Sequence, residues 1–564
     1  MKGMKAILAL CACSALLFSA CGGTGGGNTG DNGGENPPGK EEITCEVYPV
    51  AYEEVNAVQD MDAFFAQTRA GNGSSHDGKL EYGFVDGVWH TLKVNDEDVS
   101  VYSARCGNNV HSFAWVDVDT NAQDGELNLN VKLDLLTKDK SEVTILPEKL
   151  KESATYSDGA VSATLNYYGS HSFVFDKQPD KALTLYVAPR SELKIPADWE
   201  EVKISAGEHT REDLTFTQQN TVYHFGSGAY DVYSMSFPSN SIAYFDSGAY
   251  FRVHEEMPGD YWAAFRIDNA ENVKVQGRAV FDFSDCQGGE SKTKGVYSIG
   301  SSKNVTVEGL ITVNSNGWTM CADASQNVEI SRCMFFSYRT FSDGIMLSDC
   351  MDSGAHDNFV RTGDDAIEVK AFSQNTDPDF YTKNIVYENN CVWTDKGIGY
   401  GCIYESIKPV DGVYFRNNSV GFAQAAWSDH LGCATVQMGS VKGTTWQNIH
   451  FEDMEVYSSS CALISIFNRA NNEAEGGIIK NVYCKNITLK YATKTQRDVY
   501  ALSVIIRLLN GAVGSNCRTS GIYLDEIMFA GTAITPENYT EYTYKEIAEG
   551  ATFSNSAIKV NSLS

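Results

Sequence analysis

The sequence predicts an all-β protein, an N-terminal β-sandwich over residues 45–205 followed by a right-handed parallel β-helix over residues 206–564. Three observations carry that prediction. Helix-period apolar patterning is nearly absent, whereas short alternating runs rich in Val, Ile, Tyr, Phe and Thr, broken by Gly, Asn, Asp and Ser, recur along the chain. Between residues 45 and 205 these runs are varied ("VWHTLKVN", "HSFAWVDVD", "ELNLNVKLDLL", "SFVFD", "ALTLYVAP") and evenly spaced, which suits an antiparallel sandwich. Beyond residue 206 they repeat.

The repeats come in two kinds. "HFGSGAYDV" returns as "YFDSGAYFR", with Phe225 and Phe245 twenty residues apart. A longer series then starts each time on Asn or Gly: "NVKVQG" at 272, "NVTVEG" at 304, "NVEISR" at 327, "NIVYEN" at 384, "GVYFRN" at 412, "NIHFED" at 448, "NVYCKN" at 481 and "GIYLDE" at 521. Fixed strands with connections of unequal length mark a β-solenoid, whose coils bury their apolar faces only by stacking. An Asn recurring at one position suits a side-chain amide ladder between coils.

The first 44 residues belong to neither domain. Lys2 and Lys5 precede an apolar run too short to span a bilayer, and small residues lead up to Cys21. Residues 1–21 therefore resemble a lipoprotein signal with Cys21 as the lipidated residue, although Phe18 stands where such signals usually carry Leu; ordinary secretion is the alternative. Residues 22–44 form a Gly-rich tether. The expectation is a cell-envelope protein held to the outer membrane, on its periplasmic or surface-exposed face, by its lipid alone.

A formal charge of −29 repels nucleic acid at long range and argues against such a partner. Of fifteen cysteines, Cys11 and Cys13 fall in the signal. The rest are scattered, with no CxxC pair and no His spaced for zinc, so neither a metal nor any other cofactor is expected. Several, such as Cys333, Cys391 and Cys484, lie in apolar strands, where a free Cys acts as a small hydrophobe.

Residues 341–370 read "FSDGIMLSDCMDSGAHDNFVRTGDDAIEVK", an unusual density of Asp at strand edges. Asp343 precedes Asp364 by 21 residues and Asp365 by 22, close to the coil length that separates Asn304 from Asn327. One coil is a rise of about 4.8 Å, so Asp343 and the Asp364–Asp365 pair should converge in one cleft. Carboxylates so close cannot all stay ionised, and the pKa of at least one should rise. An acid and a base at the same pH are what glycosidic bond hydrolysis needs. Asp349 and Asp352 read as turn residues. His356, Lys370, Tyr400, Tyr404 and Glu405 are candidate substrate-binding residues on the same and following coils, and Trp318 and Trp393 are candidates for stacking on sugar rings; for each, core packing is the alternative.

An isolated Asp followed one coil later by an Asp pair resembles the polygalacturonase-type β-helix glycosidases, glycoside hydrolase family 28 and, closer in layout, family 49 (dextranase and isopullulanase), which similarly carries an N-terminal sandwich. "GSGAY" and "DSGAY" look like the coils that open such helices, and "GRAVFDFSDC" at 277–286 looks like a Gly-Arg-Gly-x-(I/L)-Asp-Gly stretch of that group. The resemblance implies an inverting hydrolase with Asp364 as general acid and with Asp343 and Asp365 activating water. It also shows departures. Phe341-Ser342-Asp343 stands for Asn-Thr-Asp, "GIGYGCIYES" for the coil with Gly-His-Gly, and Ser406-Ile407-Lys408 for Arg-Ile-Lys. Without that His and Arg, the expected substrate is a neutral α-glucan such as dextran or pullulan. The alternatives are a pectin hydrolase, a polysaccharide lyase using Arg361 as base, and a non-catalytic glycan-binding lipoprotein.

Overall fold

The computed structural model describes residues 42–45 and 89–561, except 107–108, 120–121, 136–137, 255–262, 287–295, 340, 373–379, 404–405, 425–433, 441–442, 469–476, 494–505, 511–516, 548–551 and 554–557. Cys21 and residues 22–41 of the tether lie outside them, whereas Glu42–Thr44, read as the end of the tether, belong to a strand that pairs with Asp117–Asp119 of the sandwich. Strands and two short 3-10 turns make up the described secondary structure, and no described helix is long and apolar enough to cross a membrane.

Two sheets form the N-terminal sandwich. One runs Glu42–Cys45, Asn109–Asp119, Gln178–Pro189, Gly169–Phe175, Val143–Leu146, with Tyr102–Cys106 also on Asn109–Asp119; the other runs Glu97–Val99, Trp89–Val94, Leu129–Leu135, Ala160–Leu165, Ala154–Ser157. Alternation sorts their side chains. Val116, Val118, Leu185 and Val187 of the first sheet bury against Leu92, Leu129, Leu133 and Val161 of the second. The sandwich is not wholly antiparallel as the strand spacing suggested, because Asn109–Asp119 and Gln178–Pro189 pair in parallel. Between them the chain crosses to the second sheet and back, which supplies the long connection that a parallel pair needs.

The opposite faces of those two strands cover the β-helix. Phe113, Trp115 and Tyr186 pack on Met334, Phe336, Phe359 and Trp393, with Phe113 stacked on Phe336 at 4.7 Å. At the centre of this apolar seam the buried Arg361 pairs with Asp395 at 3.1 Å and donates to His111 Nδ1 at 2.9 Å. Because a guanidinium only donates, His111 Nδ1 accepts, and its Nε2–H donates to Thr184 Oγ1 at 2.7 Å. Burial, and then the charge of Arg361, hold the His111 pKa well below its ordinary value, as that neutral tautomer requires.

The right-handed parallel β-helix starts at Glu200–Ile204, which pairs in parallel with Thr221–Phe225. The coils from Thr221–Phe225 to Ala434–Ser440 contribute three strands each, and in the later coils the first two merge into one long strand, Thr445–Ser459 and then Ile478–Ala492. The two coils that matter here are Gln326–Ser331, Met334–Phe336, Ile345–Ser348 and then Met351–His356, Phe359–Thr362, Ile367–Lys370, paired strand on strand. Inside, like stacks on like. Phe225 lies 4.9 Å from Phe245, and Tyr230, Phe251 and Phe281 follow one another at 4.6 Å.

The recurring Asn forms the expected ladder. Asn272 donates to Asn240 at 2.9 Å, Asn304 to Asn272 and Asn327 to Asn304 at 2.8 Å. All four have positive φ, the left-handed conformation that Asn tolerates better than other residues bearing a side chain. On the next coil Asp352 takes the ladder position, accepting from Asn384 at 2.9 Å. Cys321, Cys333, Cys350, Cys391, Cys402 and Cys484 are buried free thiols.

Candidate active site

Asp343 lies in the turn ahead of Ile345–Ser348, and Asp364 and Asp365 lie one coil on, ahead of Ile367–Lys370. Backbone bonds fix the two turns against each other: Gly344 N donates to Asp365 O at 2.8 Å and Ile345 N to Ala366 O at 2.9 Å. Glycine is needed on both sides of the pair. A Cβ at Gly344 would overlap the Ala366 carbonyl oxygen, and one at Gly397, on the following coil, would overlap the Asp364 backbone.

The three carboxyl groups have different surroundings. Asp364 Oδ2 accepts from Phe341 N at 2.8 Å, and Asp365 Oδ1 accepts from Ile398 N at 2.9 Å. Asp343 Oδ2 faces Lys370 Nζ at 3.5 Å. Asp343 and Asp364 are buried and Asp365 is half-buried. Burial, then the charges of Asp343 and Asp365, push the Asp364 pKa well above its ordinary value; the Phe341 N–H and Lys370 oppose this without prevailing. Asp364 thus keeps its proton at pH values where an exposed Asp has lost it.

A fourth carboxyl, Glu368, completes the cluster. Its strand alternates, with Ile367 and Val369 in the core and Glu368 and Lys370 on the cleft side. Oxygens of Asp343, Asp365 and Glu368 lie within 4.8 Å of one another, near enough to share a cation. The Lys370 ammonium supplies one from the chain itself, 3.3 Å from Glu368 and 4.7 Å from the centre of the Trp318 ring.

Glycosyl hydrolases family 28 is the family whose model matches the chain, over residues 232–540, which includes every residue of this cluster. The chain belongs to family 28. It is therefore a glycoside hydrolase acting on a polysaccharide. Solved structures similar to it include an exopolygalacturonase from Thermotoga maritima, 15% identical, covering 66% of this chain and 93% of that one with a TM-score of 0.45. A family 28 exopolygalacturonase from Yersinia enterocolitica is 10% identical over 79% of this chain and 97% of its own, TM-score 0.46. The catalytic unit of a family 87 alpha-1,3-glucanase from Streptomyces thermodiastaticus is 12% identical over 86% of this chain and 84% of its own, TM-score 0.39. No curated protein matches.

In this family 28 chain the fold brings Asp343, Asp364, Asp365, Lys370 and the half-buried Trp318 together. Other candidates it places elsewhere. His356 sits at the far end of the four-residue strand Phe359–Thr362, roughly 13 Å of strand from the pair. There it lies between Asp357 at 2.7 Å and Glu329 at 3.2 Å. Burial lowers its pKa, but the hydrogen bonds it donates to both carboxylates outweigh that and raise it to about 9. Tyr400 is a core residue and not a sugar contact: it continues the inward column of Ile345 and Ile367 and donates to Asn390 O and Ser419 O at 2.9 and 3.1 Å. Trp393 packs into the sandwich seam. So does Arg361, paired with Asp395, which removes the base that a lyase would need. Tyr404 and Glu405 lie outside the described residues. Glu368 was missed by the sequence reading; its signal was a Glu two positions before Lys370 in the strand that follows the Asp pair.

The Asp364 environment generates a test. A carboxyl whose pKa is raised in the folded state adds stability below its unfolded pKa and loses it as pH rises through the folded value. Asp364→Asn should therefore lose about 10²–10⁴-fold in turnover as a proton donor is removed. Its Tm relative to wild type should climb from acidic to alkaline pH, because wild type then buries a charge that Asn lacks. Turnover near wild type, or a Tm difference independent of pH, would place the proton donor elsewhere.

Proposed function

We propose that the chain cleaves a neutral, α-linked glucan, such as dextran or pullulan, by a single inverting displacement. Asp364 gives its proton to the glycosidic oxygen as the bond to the anomeric carbon breaks. Asp343 and Asp365 orient a water on the opposite side, and Asp343 takes a proton from it as the new carbon–oxygen bond forms. Two sugar ends leave, one with inverted anomeric configuration, and exchange with solvent resets both carboxyl groups. What supports this split of roles is the elevated pKa of Asp364, caused first by burial.

The observation that carries the substrate assignment is the pairing of the nearby cations with the protein's own acids. Lys370 lies between Asp343 and Glu368, and Lys408 lies 3.9 Å from Asp349. A uronate carboxylate entering this cleft would have to compete with those partners against a net charge of −29. A neutral sugar needs only hydroxyl hydrogen bonds and an aromatic face, such as the half-buried Trp318. Membership of family 28 favours a second reading, hydrolysis of a galacturonan.

Purified protein given dextran, pullulan and polygalacturonate separates the two readings. Neutral glucan should be cut at rates that change little with moderate salt, and NMR during hydrolysis should show the inverted anomer first. Cleavage of polygalacturonate alone would establish the second reading, and a retained anomer would contradict single displacement.

We further propose that Cys21 carries a lipid that holds the enzyme in the cell envelope, on the evidence of Lys2, Lys5 and the small residues before Cys21. Cells fed an alkyne fatty acid should label wild type and not Cys21→Ala, which should leave the membrane fraction. Equal labelling of both would end this proposal.

A further inference from the structure

Glu368 is fully buried, and neither of its carboxyl oxygens receives a hydrogen bond from a described donor. Lys370 reaches it only at ion-pair distance, 3.3 Å, while also facing Asp343. A buried carboxylate left so poorly satisfied is costly, and an apolar residue would fill an outward strand position without that cost. The family 28 chemistry proposed above has no use for a fourth carboxyl. Its place beside Asp343 gives it one.

Among the described residues, the following titratable and charged groups face Glu368. Asp343 comes from the turn before Ile345–Ser348, Asp365 from the turn before its own strand, and Lys370 from two residues along that strand. Cys321, on Met320–Asp323, faces the same cluster, and burial, then the charges of Asp343 and Glu368, keep its thiol neutral. Its ladder neighbours Met346 and Gly401 carry no charge, and from the core side Tyr387 donates only to its backbone oxygen, at 2.8 Å. Oxygens of Asp343, Asp365 and Glu368 come within 4.8 Å of one another, and a fully buried Glu368 that no described donor reaches is held at lower cost with a proton than as an anion.

We propose that Glu368 is a positioning residue that holds this proton and donates it in a hydrogen bond to Asp343, so that Glu368–H and Lys370 together keep Asp343 ionised and aimed at the attacking water. Of the three, Glu368 is the most deeply buried, so it is the one least able to carry charge. Its pKa is pushed well above the ordinary range, first by burial and then, against Lys370, by Asp343 and Asp365. Two carboxylates cannot hydrogen-bond each other, whereas an acid and a carboxylate can. The inference rests on the reading of Asp343 as base.

The test is the pH profile of kcat for wild type, Glu368→Gln, Glu368→Ala and Asp343→Asn, with folding checked by circular dichroism and Tm. Glutamine still donates but does not titrate, so Glu368→Gln should keep near wild-type kcat at the optimum and extend activity to higher pH. Alanine removes the donor. Because a donor to the charged form lowers a pKa, Glu368→Ala should move the acid limb to higher pH. Loss of one hydrogen bond to a charged group should lower kcat about ten- to a hundredfold with KM nearly unchanged. Profiles of both variants parallel to wild type would overturn the inference while a dead Asp343→Asn leaves the catalytic reading standing. An active Asp343→Asn would overturn both. If Glu368→Gln misfolds, calorimetric titration of wild type with Ca²⁺ decides: no binding is expected, and tight Ca²⁺ binding would show a metal where we place a proton.

Discussion

Stacking of one coil on the next at about 4.8 Å is the constraint from which the site follows. It gives Asp343 and the Asp364–Asp365 pair no freedom to separate, because the Asp343 turn donates backbone hydrogen bonds to the turn that carries the pair and glycine lets the coils close on both sides. Like charges that would drift apart on a flexible loop are held together by a sheet many strands long. Their repulsion is relieved by protonation and by Lys370, and that relief sorts the carboxyl groups into different states. The stacking thus sets carboxyl groups of different surroundings side by side, and the proposed acid and base roles rest on that difference.

The sandwich contributes to this rigidity at a distance. Arg361 stands three residues before Asp364, on the strand that leads into the turn of the Asp pair, and its guanidinium is fixed by Asp395 of the next coil and by His111 of the sandwich. The strand leading into the pair is therefore clamped from outside by apolar rings and a buried ion pair, as well as by its ladder partners. Removing one member of a buried pair leaves the other's charge uncompensated, so this seam is part of what holds the site, though it touches no substrate.

Much of this was legible in the sequence because it depends on spacing. The Asn series gave the coil length, and the coil length brought Asp343 to Asp364 and Asp365; the amide ladder with positive φ explains why Asn was the residue marking each coil. What depends on direction around the coil was not legible. Tyr400 turns inward and Trp393 turns to the sandwich, although both follow the site in sequence by about one coil. Glu368 was hidden for the same reason: only the register of Ile367 and Val369 with their neighbours shows that the residues between them face the cleft. The parallel pair in the sandwich likewise reflects a path between sheets that strand spacing does not record.

The central claim is that Asp364 and the Asp343–Asp365 pair act on opposite sides of one scissile bond. A crystal structure of Asp364→Asn soaked with an oligosaccharide of the preferred polymer tests it most directly. The account predicts the glycosidic oxygen within hydrogen-bond reach of residue 364, and an ordered water held between Asp343 and Asp365 facing the anomeric carbon. A sugar bound with its glycosidic bond away from these residues, or a metal ion in place of that water, would contradict it.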